Sequence, residues 1–274
     1  MERVLIFLKN SKKAIDTFKE TEKILKDYGI EYKTVVNKSR IVKRLRPTNY
    51  DLFLVIGGDG TFLSAARIAS RFGIPLAGIN EGRFGFLTEI KKEEIERVLP
   101  LILEKKVPLQ ERLMIDVFLR RGKKLRYLGN YLNDAVISKS SIARIIQTEV
   151  FVNGERIVDI FGDGVILSTP TGSTAYALSA GGPILYPESE NLLLVPICPH
   201  TLTNRPLVLP SEFEVSFKVV SKNMEAYLTL DGQEGTFLKK EDEVIVKKSK
   251  HKCLTYSHPK KSFFSVLREK LKWG

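Results

Sequence analysis

The stretch "LFLVIGGDGTFL", residues 52–63, joins a wholly apolar run to a loop of glycines, a carboxylate and a hydroxyl. Gly57, Gly58 and Gly60 let the backbone turn tightly and approach a ligand with no Cβ in the way. Where such a turn follows a parallel strand and opens a helix, main-chain N–H groups and the positive helix end converge, and phosphate is welcome there. Thr61 adds a hydroxyl beside that cradle. Asp59 is out of place in a site for anions. A carboxylate belongs there if it binds a metal or takes a proton from a nucleophilic hydroxyl; the plainer reading is an Asp capping the helix N-terminus. The chain contains no GxxxxGK[ST], and "GINEGRFGFL" does not fit GxGxxG, so neither a P-loop nor a Rossmann fingerprint handles the phosphate.

Two later stretches add polar groups where packing alone would not place them. "NYLNDAVI" sets Asn133 and Asp134 among apolar strand residues, for which a turn or an edge pair is the plain alternative. "GDGVILSTPTGSTAYALSAGGPI", residues 162–184, carries Asp163, the hydroxyls of Ser168, Thr169, Thr171, Ser173 and Thr174, and the ring of Tyr176. Hydroxyls and a ring suit an adenine–ribose site, against a helix cap as the alternative. "LDGQE" adds Asp231 and Gln233 after a strand and by itself is only a turn.

The elements that must hold these residues fall into two classes. The run Val4–Leu8 reads as a strand buried on both faces. Ala14, Phe18, Leu25 and Tyr28 follow near helical spacing, ahead of Gly29. Strands are expected at 30–36, 52–56 and 74–79, a helix at 62–71, and a helix at 93–104 interrupted by Pro100. This alternation implies a parallel sheet with helices on both faces. After about residue 108 the pattern changes to short alternating runs: 114–119, then 127–137, then a hairpin at "VFVNGERIV" turning on Asn153 and Gly154, then 213–219, 226–230 and 244–246. The expected domains are 1–107 (α/β, carrying the glycine loop), 108–255 (β-rich) and a tail, 256–274. In the tail Phe264, Leu267 and Leu271 form one helical stripe that docks as a closing helix.

Forty-four basic against 32 acidic residues leave a net charge of +12, which suits a polyanionic partner. The basic residues are interspersed with acidic ones and no RRM, KH or zinc-finger signature is present, so a solvated surface is expected rather than a nucleic-acid site. No apolar run approaches the roughly 20 residues that span a bilayer, no signal peptide is recognised, and a cytoplasmic protein is expected. Cys198 and Cys253 lack the spacing of a zinc or redox motif.

Taken in order, "GGDGT", "NEGRFGFL", "NDAVI", "GDGVILSTPTGSTAYALSAGGPI" and "DGQ" resemble the NAD kinase family, which shares a superfamily with diacylglycerol and sphingosine kinases and 6-phosphofructokinases. The first motif is superfamily-wide; the fourth is specific. The resemblance implies a Rossmann-like, phosphofructokinase-like α/β domain followed by a β-sandwich-like domain, with the last helix returning to the first. It implies transfer of the γ-phosphoryl of ATP, or of polyphosphate, to the adenosine-ribose 2′-hydroxyl of NAD, with Mg²⁺ neutralising the phosphates. Asp59 is then the proton acceptor, with Gly57, Gly58, Gly60 and Thr61 around it. Asn80, Asn133, Asp134, Arg144, Asp163, Thr174, Ala175, Tyr176, Ala177, Leu178, Ser179 and Gln233 surround the dinucleotide. A solvated charge is the alternative for Arg144. Phe161 stands where many relatives carry a polar or basic residue, which leaves NAD against NADH open. A homodimer or homotetramer is implied. The rivals are a lipid kinase, disfavoured because that group resembles "DGE" where this chain has "DGQ", and a dinucleotide sensor without the reaction, disfavoured by Asp59.

Overall fold

The structure is a computed structural model that describes residues 1–38, 45–82, 85–140, 145–201, 203–220 and 226–273. It divides into two compact units, residues 1–111 with 252–274, and residues 112–251.

The first unit is built on β1 (Arg3–Leu8), β2 (Glu31–Val36), β3 (Leu52–Ile56) and β4 (Leu76–Ile79), all parallel. The sheet order is β2-β1-β3-β4, extended by the last strand of the chain, β18 (Cys253–Tyr256), and by β5 (Leu109–Arg112). Alternate residues of the central strands (Val4, Ile6, Leu8; Leu52, Leu54, Ile56; Ala77, Ile79) share one core with α1 (Lys12–Asp27) and α3 (Ile95–Leu103). The intervening Leu5, Phe7, Phe53 and Val55 are equally buried, so the apolar runs are continuous because both faces are covered. Helix α2 (Asp59–Ala69) buries Phe62, Ala65 and Ala66 and packs on β3 and β4. It begins three residues before the expected start, and that shift places Asp59 inside the helix. Pro100 does not interrupt α3, which runs through it. The proline forgoes one helix bond at a cost of about 3 kcal/mol. Burial of Ile95, Val98, Leu99, Ile102 and Leu103 offsets that loss. Strand β18 pairs in parallel with β4, so Cys253–Tyr256 lies in the first sheet, whereas the expected boundary at 255 put it with the β-rich region. In α5 (Phe263–Leu271) the buried residues are Val266 and Leu267 while Phe264 is 60% exposed, so the expected stripe is rotated by about one residue.

The second unit is a sandwich of two antiparallel six-stranded sheets. One has the order β10-β9-β14-β17-β6-β7, formed by β6 (Ile115–Arg121), β7 (Lys124–Tyr131), β9 (Ile146–Val152), β10 (Glu155–Gly162), β14 (Val215–Val219) and β17 (Glu243–Lys248). The other has the order β13-β12-β11-β8-β15-β16, formed by β8 (Asp134–Lys139), β11 (Gly164–Ser168), β12 (Asn191–Ile197), β13 (Leu207–Pro210), β15 (Ala226–Leu230) and β16 (Glu234–Leu238). Val117, Val150, Phe217 and Val244 of the first meet Ile137, Val165, Leu167, Leu194 and Leu228 of the second in one core. Asn153 (φ 50°) and Gly154 (φ 83°) both adopt the left-handed backbone of the expected β9–β10 hairpin turn. The apolar run at 127–137 is not one strand: the chain leaves one sheet at Tyr131 and enters the other at Asp134. Strand β11 is buried on both faces, its outer one by Ala177, Leu193 and Val195 around the short helix α4 (Tyr176–Ser179).

Candidate active site

In the first unit the glycine loop follows the carboxyl end of β3. Gly57 N–H donates to the Ile79 carbonyl at 3.0 Å, which ties the loop to the end of β4. Gly58, in extended conformation, is the N-cap of α2 and makes no side-chain cap. Its carbonyl accepts the N–H groups of Thr61 and Phe62. Asp59 and Gly60 therefore form the first turn, at the positive end of the helix, and Thr61 is buried beneath it. The capping alternative for Asp59 fails on this geometry.

The Asp59 carboxylate instead accepts four hydrogen bonds from the segment after "NEGRF". Oδ2 takes the Phe86 N–H at 2.9 Å; Oδ1 takes the N–H groups of Leu87 and Thr88 and the Thr88 hydroxyl, each at 3.1 Å. Three consecutive main-chain N–H groups converging on an anion form a nest, which holds a charge without a cationic side chain. Gly85 makes the approach possible, because a Cβ there would lie 1.9 Å from Asp59 Oδ1. Asn80, at the end of β4, is buried; its Oδ1 accepts Gly82 N–H and its Nδ2 donates to Thr88 Oγ1. On the other side of the loop the Glu81 carboxylate accepts from Lys9 and Ser11.

In the second unit a cavity of about 310 Å³ is lined by Asn133, Asp134, Val136, Ser138, Ala175, Tyr176, Thr229, Asp231 and Gly232. Here the same device recurs. Asp231, in a left-handed conformation (φ 50°) after β15, accepts the N–H groups of Leu132, Asn133 and Asp134 at 3.3, 2.7 and 3.3 Å. Those three residues are where the chain crosses between sheets, so the buried carboxylate replaces the strand partners they lack. Asp134 is 4% exposed; burial, and then the neighbouring Asp231 carboxylate, push its carboxyl up to about 7. Its protonated form, which burial favours, is both a donor and an acceptor.

Most hydroxyls of the long polar loop are spent on the protein's own backbone rather than offered to a ligand. Ser168 and Thr169 donate to the carbonyls of Asn133 and Leu132, Ser173 to Pro170, and Thr174 to Thr171. A Cβ at Gly172 would lie 2.2 Å from the Asn133 carbonyl oxygen, so the loop is packed directly on the crossing. Of the expected site residues in this unit, Asn133, Asp134, Ala175 and Tyr176 come together on the cavity, with the Tyr176 ring 46% exposed. Ala177 faces the apolar cluster over β11. Leu178 and Ser179 complete α4, and Thr174 precedes it. Gln233 is exposed in the turn after Asp231. Asp163 pairs with Lys139 at 2.7 Å. Arg144 lies outside the described residues. Ser138, Thr229 and Asp231 reach the cavity without having been singled out for it. For Ser138 the signal is alternation, which puts 136 and 138 on one face of β8, and for Asp231 it is the "DGQ" stretch that follows a strand.

Two family models cover most of the chain: the ATP-NAD kinase N-terminal domain over residues 4–107 and the ATP-NAD kinase C-terminal domain over residues 132–257. The chain is also 74% identical to the NAD kinase of Aquifex aeolicus across 100% of both chains. It belongs to the NAD kinase family. A Geobacter metallireducens NAD kinase is 42% identical over 94% of this chain and 91% of that one. Among solved structures, an NAD kinase from Archaeoglobus fulgidus in complex with ATP superimposes with a TM-score of 0.79 at 26% identity, covering 100% of both chains. Yeast NADH kinase complexed with NADH has a TM-score of 0.87 at 22% identity, covering 100% of this chain and 88% of that one, a likeness of fold. The α/β domain with its parallel sheet and the β-rich second domain agree with the architecture that the NAD kinase resemblance implied. The lipid-kinase and non-catalytic readings find no support in these relatives. Among the described residues no helix is long and apolar enough to cross a membrane, and no group of three or more His, Cys, Asp or Glu could hold a metal ion.

Proposed function

We propose that the protein is an NAD kinase in which Asp59 accepts the proton of the adenosine-ribose 2′-hydroxyl as that oxygen takes the γ-phosphoryl of a nucleoside triphosphate. The observation that carries this reading is the Asp59 carboxylate, held by three consecutive N–H groups at the first turn of α2. A secondary hydroxyl is a weak nucleophile, and a fixed carboxylate beside it is the group that helps. The O–H bond breaks and its proton goes to Asp59, the 2′-oxygen to phosphorus bond forms, and the bond from phosphorus to the leaving diphosphate breaks. The products are NADP and a nucleoside diphosphate. The first turn of α2, from Gly58, supplies the positive helix end for the transferred charge, with Gly57, Gly60 and Thr61 shaping the loop around it.

The second unit's cavity is assigned to the dinucleotide. Its volume of about 310 Å³ suits one nucleoside half rather than the whole molecule. Tyr176 offers a ring face to a base, Asn133 a donor and an acceptor, and Asp134 a carboxyl that can take either part. Asn80, Arg144, Asp163, Thr174, Ala177, Leu178, Ser179 and Gln233 are assigned to the same substrate through the family resemblance. For Asn80 and Ala177 the hydrogen bonding and burial favour a supporting role over direct contact.

A divalent cation, with Mg²⁺ expected, would be carried on the donor's phosphates and water. Mg²⁺ is commonly held through substrate phosphates rather than by a protein cage, and the described residues form no such cage. It would supply charge neutralisation for the transferred group. ATP is the expected donor, with polyphosphate as the alternative, and a cytoplasmic homodimer or homotetramer is the expected form. The test is parallel phosphorylation of NAD, NADH and a diacylglycerol by ATP and by polyphosphate, with and without EDTA. NADP formation that stops on chelation supports the reading; phosphorylation of the lipid alone overturns it, and full activity in excess EDTA removes the metal.

A further inference from the structure

Thr88 is 0% exposed, and its hydroxyl lies between Asn80 and Asp59. Gly82 N–H donates to Asn80 Oδ1 at 2.7 Å, which turns the NH₂ of that amide toward Thr88. Asn80 Nδ2 donates to Thr88 Oγ1 at 2.9 Å. An amide NH₂ can only donate, so the Thr88 oxygen must accept there, and its single proton is left for Asp59 Oδ1, 3.1 Å away. The two oxygens of Asp59 are thereby made unequal. Oδ1 accepts from Leu87 N–H, Thr88 N–H and the Thr88 hydroxyl, while among the described residues Oδ2 accepts from Phe86 N–H alone. Each carboxylate oxygen has about two lone-pair directions, so the two N–H groups already fill Oδ1 and the hydroxyl, as a third donor, holds the carboxylate against rotation, while Oδ2 keeps one direction that no described residue uses.

We propose that Thr88 is a positioning residue for phosphoryl transfer: the one-way relay from Asn80 through Thr88 fixes the rotation of the Asp59 carboxylate, with Oδ1 turned into the nest and Oδ2 left as the atom that takes the ribose proton. This rests on the reading of Asp59 as proton acceptor. Thr88 exchanges no proton; its hydroxyl hydrogen stays on Oγ1 while the proton released by the 2′-hydroxyl goes to Oδ2. Gly85 supports the arrangement, since a Cβ there would press on both Asp59 Oδ1 and Thr88 Oγ1, at 1.9 and 2.6 Å.

The test measures kcat and the KM for NAD in the full-length protein and in Thr88→Val, Thr88→Ser, Asp59→Asn and the Asp59→Asn/Thr88→Val double variant. Val keeps the shape of Thr and loses the hydroxyl, so kcat should fall about 10²-fold, the effect of a misplaced reacting group, with KM changed less than about twofold. Ser keeps the hydroxyl and loses the methyl, and should stay within about threefold of wild type in kcat. The double variant should be no slower than Asp59→Asn, because Thr88 acts through that carboxylate. Wild-type kcat in Thr88→Val, a Ser variant as slow as the Val one, or a further loss in the double variant each overturns the proposal. If Thr88→Val does not fold, Thr88→Ala against Thr88→Ser is read with the same expectations. A fast Asp59→Asn protein sinks the proton-acceptor reading and Thr88 with it, whereas a slow Asp59→Asn beside a fast Thr88→Val sinks Thr88 alone.

Discussion

Asp134→Asn should make the protein more stable, and by an amount that grows with pH. The Asp134 carboxyl is buried beside the Asp231 carboxylate, and its value moves from 3.8 to about 7 on folding. At 1.36 kcal/mol per pH unit that corresponds to a ceiling of about 4 kcal/mol. Because the folded value is raised, the native state holds the proton over a range in which the unfolded chain has already lost it. The associated stability is fully present below about pH 4 and is lost as the pH rises through about 7. Between pH 5 and pH 8.5 the wild type should therefore lose about 2 to 3 kcal/mol that the Asn variant keeps, since the amide does not titrate. Groups distant from Asp134 titrate alike in both proteins, so the difference between variants at each pH isolates this carboxyl together with its coupling to Asp231. For a chain of this size the gap corresponds to a melting-temperature advantage of very roughly 5 to 10 °C at the higher pH, read by thermal or urea unfolding across the range. A stability difference between the two proteins that does not change with pH would refute the burial argument.

Asp59→Asn should lower kcat about 10²- to 10⁴-fold, the worth of a general base, as measured by NADP formation. It should also cost about 1.5 to 3 kcal/mol in unfolding experiments, because one carboxylate oxygen becomes an NH₂ and the nest loses a charged acceptor. Wild-type kcat would leave Asp59 as an anchor alone. Gly85→Ala should lower kcat at least about tenfold with the fold retained by circular dichroism, since the new methyl would sit 1.9 Å from Asp59 Oδ1 and must displace it. Unchanged kcat in that variant would mean that the carboxylate's position does not matter.

The parts legible in the sequence are those decided over a few residues. Continuous apolar runs mark β1, β3 and β4 because a parallel sheet covered on both faces has no polar side. Asn153–Gly154 marks a hairpin because two successive left-handed residues disfavour most side chains. The glycine loop and Asp59 stand out for the same reason, as an arrangement that plain packing does not call for. Helix α2 starts earlier than local pattern indicates because the glycines that serve the loop are weak helix formers, and the tertiary position of Gly58 as N-cap overrides that preference. The split of 127–137 was hidden because an apolar run does not say which sheet each half joins. What the carboxylates do was decided by the tertiary structure. Asp59 finds its donors 27 to 29 residues away, and Asp231 finds its own 97 to 99 residues away. Thr88 and Gly85 acquire their importance only through that meeting, and the hydroxyls of Ser168 and Thr169 turn inward only once the crossing at Leu132–Asn133 is there to receive them. Local pattern reports backbone preference and which face is buried. Hydrogen-bond partners, and the value at which a buried carboxyl gives up its proton, depend on groups that folding brings within about 3 Å from anywhere along the chain.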